Sequence, residues 1–151
     1  MNNLPLSIDY NYILNNFLGS WIVQKSIFIF QTRNIYKYEK KITIKEKNNL
    51  DGIYTLKFYR LTNKETYFSS YISSNRKYVN KINILKKNKN IYTINYINNN
   101  IIKISHKSNN NTIYNEYIYN INSSFNIIIG ILKINNIYLS TSFTSYIKTN
   151  L

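Results

Sequence analysis

The sequence predicts an all-β fold, an up-and-down antiparallel β-barrel of about ten strands behind one short N-terminal helix, over 151 residues. Three observations carry that expectation. The apolar period changes from helical to alternating at Trp21. The alternating stretches are rich in Ile, Tyr, Phe and Thr, which fit a pleated surface. The connections between them are only a few residues long, which suits antiparallel hairpins and leaves no room for helical crossovers.

In the first segment Tyr10, Ile13, Leu14, Phe17 and Leu18 share one helical face, Ser7 and Asp9 suit a helix start, and Gly19 suits its stop. A helix over about 7–18 is therefore expected, with its stripe against the rest of the domain. The alternating segments place strands near 21–32, 35–46, 52–60, 65–72, 77–86, 90–97, 100–106, 112–121, 125–134 and 137–148. Lys47 to Asp51, Asn98 and Asn99, and Asn135 and Asn136 fall between strands, and Asn tolerates turn geometry. Such spacing suits a sandwich or a closed barrel; closure removes exposed strand edges, which favours the barrel. A barrel of this size leaves an interior for one small ligand. No composition break or Pro/Ser linker divides residues 1–151, so one domain is expected.

Asn, Ile, Lys and Tyr fill 89 of the 151 positions and Ala is absent. Codons for these four residues are almost wholly A and T, so the bias points to an AT-rich genome such as an organelle's. The net charge of +14 comes mainly from 17 Lys against 3 Arg, the ratio that codon drift produces, whereas phosphate recognition favours Arg forks. Without Cys there are no disulfides, Cys-based metal sites or thiol nucleophiles. The single His, His106, argues against a His-rich metal centre and is read as a rim residue. No apolar run approaches the length of a membrane-spanning helix; the longest are Ile27 to Phe30 and Ile127 to Leu132, with Gly130 inside the latter. The first residues lack a secretory or transit pattern, so the protein is expected to act where it is made. The three Gly residues stand far apart, which removes phosphate-binding loops.

Six carboxylates remain, and Glu116 stands out. In 112–121 it shares a face with Tyr114, Ile118 and Asn120; if that face points inward, Glu116 is a carboxyl in a cavity, and otherwise it is a solvated strand residue. Trp21, at the join of helix and first strand, is expected to plug the barrel bottom. Lys81, Lys86, Lys87 and Lys89 interleave with Tyr78 and Tyr92, a pattern that suits a single-stranded nucleic-acid surface as well as a Lys-rich hairpin tip. No RNA- or DNA-reading motif accompanies it.

Two stretches together carry a resemblance. Phe17-Leu-Gly-Ser-Trp21-Ile-Val-Gln24-Lys25-Ser26 resembles the start of the S-type (CpcS/CpeS-like) phycobiliprotein bilin lyases, where a short helix ends in a Gly-x-Trp-x-Ser-Gln-Arg-Thr pattern. Glu116 through Phe125, and Ser140-Thr-Ser-Phe-Thr-Ser145-Tyr-Ile-Lys148, are similar to that family's last strands. The resemblance implies a lipocalin-like barrel of about ten antiparallel strands that holds an open-chain tetrapyrrole and promotes its thioether attachment to a cysteine of a phycobiliprotein subunit.

Carried over by position, Glu116 matches the family's inward Glu and becomes the candidate catalytic residue. Lys25 replaces an Arg, and with Gln24 it becomes a candidate ligand contact. Asn126 and Ile128 stand where the family has an Arg-x-Arg pair, and Tyr146 where it has a Glu, so Asn126 and Tyr146 enter as altered ligand positions. Trp21 keeps a structural role.

No metal or prosthetic cofactor is implied; the phycobilin is a bound substrate and the phycobiliprotein subunits are the partners. Neither DNA nor a membrane is an expected partner, a homodimer is an allowed assembly, and the plastid stroma is the expected compartment. A non-catalytic lipocalin-like carrier is the alternative, and a basic organelle RNA-binding protein the third reading.

Overall fold

The structure is a computed structural model and describes residues 16–48, 54–61, 65–73, 78–83, 88–98, 100–108 and 111–149. Among the described residues ten strands follow in order: β1 (Gly19–Ile29), β2 (Asn34–Asn48), β3 (Tyr54–Leu61), β4 (Glu65–Ser73), β5 (Tyr78–Asn83), β6 (Asn88–Asn98), β7 (Ile101–Lys107), β8 (Thr112–Asn122), β9 (Phe125–Ile134) and β10 (Ile137–Lys148). Each pairs antiparallel with its neighbours in sequence, and β1 pairs with β10, so the hydrogen-bonded order closes on itself. The fold is all-β and antiparallel, as expected. The helix expected over 7–18 lies mostly outside the described residues; Asn16 and Phe17 form a turn that leads into β1.

β1 begins two residues before its expected start and ends at Ile29, not at residue 32. The apolar and Thr alternation runs on through Phe30 and Thr32, but Arg33 adopts a left-handed φ of 58° and its N–H bonds the Ile29 carbonyl at 2.8 Å, which turns the chain early. Asn135 and Asn136 form the two-residue β9–β10 turn, both at positive φ (49° and 64°), as a primed hairpin turn requires.

Alternation sorts each well-described strand into two faces. Trp21 and Val23 of β1, Ile42 and Ile44 of β2, Ile102 and Ile104 of β7, and Ile118 of β8 are buried and form, with Phe17, one apolar cluster. Register stacks them at one end of the barrel: Gly19 lies opposite Ile44, Trp21 opposite Ile42, and Ile102 opposite Ile118. This is a floor. Phe17, Trp21 and Tyr146 pack edge-on or tilted with centroids 5.3–6.4 Å apart, and Trp21 Nε1 donates to the Phe17 carbonyl at 2.8 Å. The indole N–H is thus satisfied where water cannot reach it.

The floor begins at Gly19, whose φ is +120°, and a Cβ built there would approach Lys148 Cε to 3.1 Å. Gly19→Ala is expected to cost about 1–3 kcal/mol through backbone strain at that φ. Urea unfolding checks it as a lowered midpoint with an unchanged slope.

Candidate ligand site on the inward wall

Along the wall from Trp21 and Val23 the inward rows mix polar with apolar side chains, Ile102, Ile104 and Ile118 among them. One row runs Ile104, Glu116, Gly130, Ser142, Ile27 and Tyr36 across β7, β8, β9, β10, β1 and β2. The row nearer the floor runs Ile102, Ile118, Ile128, Thr144, Lys25 and Tyr38. Tyr36 and Tyr38 stay 47% and 54% exposed, so the upper wall of β2 is solvated while the floor is sealed.

Glu116 is buried, with 3% of its surface accessible, and Ile104 and Ile118 beside it are buried as well. Tyr114, two residues earlier on the same face, donates its hydroxyl to Glu116 Oε1 at 3.0 Å. The closeness depends on Gly130, directly opposite Glu116. A Cβ at residue 130 would lie 2.7 Å from the Tyr114 hydroxyl, 3.3 Å from its Cε2 and 2.5 Å from Ser142 Oγ. The wall lacks a side chain at the point where these groups meet. Burying a carboxyl among apolar neighbours opposes folding, and a hydroxyl donor partly offsets that cost.

The other sequence-derived candidates fall in different places. Lys25 lies on the inward face, half-buried, three strands from Glu116 along the wall, or about 14 Å at the usual strand spacing. Gln24 is exposed, and its amide Nε2 donates to Glu39 Oε2 at 3.1 Å on the outer surface. Gln24 and Lys25 line a groove of about 400 Å³ with Ser26, Lys37, Tyr38 and Glu39. Asn126 is fully buried opposite Tyr146, and its Nδ2 donates to the Asn16 carbonyl at 3.3 Å, tying the entry segment to β9. Asn120 is its partner across β8 and β9, and the Oδ1 atoms of both are buried without a hydrogen-bond partner. Tyr146 packs against Phe17 and Trp21. Asn126 and Tyr146 therefore belong to the floor, while Glu116 and Lys25 lie on the inward face farther along their strands.

His106 lies on the inward face of β7, half-buried opposite Tyr114 and one residue from the strand's end, consistent with a rim position. Among the described residues no three His, Asp or Glu side chains cluster as a metal site, and no helix is long and apolar enough to cross a membrane. The Lys81 to Lys89 cluster has no described side chains. Sequence reasoning missed Tyr114 and Gly130; their signals were one glycine inside an otherwise apolar strand and one tyrosine two residues before the carboxylate.

No family model matches the chain. A chromophore lyase CpcS/CpeS homolog of Gracilaria tenuistipitata var. liui is 33% identical over 152 residues, covering 93% of this chain and 98% of that protein. The chain belongs to the CpcS/CpeS chromophore lyase family. Solved structures agree on the fold of this chromophore lyase homologue. The S-type phycobiliprotein lyase CpeS of Guillardia theta superposes with a TM-score of 0.62 at 8% identity, over 96% of this chain and 97% of that one. A protein of the DUF3598 family from Nostoc punctiforme superposes with a TM-score of 0.60 at 12% identity, over 90% of this chain and 49% of that one.

Proposed function

We propose that the protein is a bilin lyase that holds an open-chain tetrapyrrole above the barrel floor and promotes its thioether attachment to a cysteine of a phycobiliprotein subunit. One observation carries the reading: in a member of the chromophore lyase family, a carboxyl group is buried on the inward wall at residue 116 and held by a tyrosine hydroxyl. A pyrrole system offers N–H donors to a carboxyl, and apolar walls suit its rings. Glu116 binds or protonates the pyrrole nitrogens, which raises the electrophilicity of the bound pigment. Lys25 meets a propionate as a point charge. Trp21 closes the floor. The transfer is redox-neutral: the partner's thiol sulfur bonds to a carbon of an exocyclic double bond, and the thiol proton ends on the pigment.

The pigment is the substrate, and no resident cofactor enters the proposal. The ten-stranded barrel acts as one unit, and the acceptor cysteine comes from the partner because this chain has none. The Asn-, Ile-, Lys- and Tyr-rich composition supports a plastid-encoded protein working in the stroma.

Titrating the protein with phycocyanobilin and with phycoerythrobilin tests the reading. A change of visible absorbance that saturates at concentrations on the order of 10 µM is expected. Unchanged spectra with both pigments overturn it. Binding without transfer to an apo-phycobiliprotein subunit assigns the protein as a carrier.

A further inference from the structure

We infer that Tyr114 is the positioning residue of this site, and that Gly130 is what lets it act. The inference rests on the bilin reading above and concerns how the Glu116 carboxyl is kept in one orientation. A Glu side chain has three rotatable bonds, and binding through a mobile carboxyl loses the free energy needed to order it. A donor already in place removes part of that loss.

The wall supplies such a donor. Tyr114 and Glu116 are i and i+2 on β8, so both side chains leave the same face. Side chains so placed stand roughly perpendicular to the sheet and normally run alongside one another. Here the tyrosine ring lies instead beside residue 130 of β9, the position facing Glu116, and its hydroxyl reaches Glu116 Oε1 at 3.0 Å. Any side chain at 130 would occupy that path, since even a methyl carbon would sit 2.7 Å from the hydroxyl oxygen. Ser142, opposite Gly130 on β10, places its Oγ 2.5 Å from the same point. The one empty position on this part of the wall is thus filled from both sides by hydroxyl groups, one of which holds the carboxyl.

The test is a double-mutant cycle read by bilin titration of the full chain, with Kd and the position of the bound pigment's absorption band as readouts. Tyr114→Phe keeps the ring and removes the donor. It is expected to raise Kd about five-fold, the scale of one hydrogen bond, and to shift the band. Gly130→Ala keeps the hydroxyl but displaces it, and should reproduce both changes. Glu116→Leu removes the group being positioned, so adding Tyr114→Phe to it should cause no further change.

Equal and additive effects of Tyr114→Phe in both backgrounds overturn the inference while leaving the bilin reading intact. So does Tyr114→Phe with wild-type Kd and band position. If Glu116→Leu itself binds the pigment with an unchanged Kd and spectrum, the role of Glu116 falls, and the positioning role falls with it. Should Gly130→Ala fail to fold, the Tyr114→Phe and Glu116→Leu pair still decides.

Discussion

Glu116→Gln is expected to slow bilin attachment to an apo-phycobiliprotein subunit by roughly 100-fold or more, the scale on which a positioned acid–base or electrostatic group contributes. Fluorescence of the pigmented subunit measures the rate. The amide keeps the shape of the side chain and still accepts the Tyr114 hydroxyl through Oε1, but it neither gives up a proton nor carries charge. Stability should move the other way. Glu116 is 3% exposed among apolar neighbours, and a neutral group is easier to bury there, so the variant's Tm is expected to equal or exceed that of the wild type. Loss of activity together with loss of stability would show that Glu116 serves the fold, and the catalytic assignment would not survive it.

Trp21→Ala is expected to lower stability by about 3–5 kcal/mol, the usual cost of deleting a buried aromatic side chain. The indole has no exposed surface, packs against Phe17 and Tyr146, and satisfies the Phe17 carbonyl. Its removal leaves a cavity and a polar atom without its donor. Urea unfolding followed by far-UV circular dichroism checks the value. Trp21→Phe separates the two contributions, because it refills much of the cavity and lacks the N–H; a cost of about 1–3 kcal/mol is expected for the carbonyl left behind. A loss below about 1 kcal/mol for Trp21→Ala would mean that the floor does not hold this end of the barrel closed.

Much of the fold is legible along the chain, because strand alternation and turn chemistry are local. β9 and β10 occupy the expected 125–134 and 137–148, and the Asn pair between them takes the positive φ values that such a turn needs. The end of β1 was misplaced because the Thr and aromatic alternation continues past the point where Arg33 turns the chain. The carboxylate was also legible: Tyr114, Glu116, Ile118 and Asn120 form one face by their spacing alone. Which face points inward was not, since that depends on Ile104 of β7 and Gly130 of β9 standing on either side of Glu116.

Position along the family pattern separates residues less well than depth in the barrel does. The family resemblance offered Lys25, Asn126 and Tyr146 alike as candidate ligand positions. Register puts Lys25 on the wall above the floor, and it puts Asn126 and Tyr146 in the floor, where an amide bonds the Asn16 carbonyl and a ring packs on Trp21. An arginine at residue 126 would have to carry its charge into that packed layer, whereas the neutral amide there joins the entry segment to β9.

By itself the sequence determined the all-β class, the hairpin order and the lyase kinship, because period-two alternation, short Asn-rich turns and ordered end motifs are properties of neighbours along the chain. Only the tertiary structure decided that Glu116 is buried, that Tyr114 holds it, and that Gly130 makes room. Those facts depend on which residues of β7, β9 and β10 lie opposite β8, and that register exists only once the strands have paired.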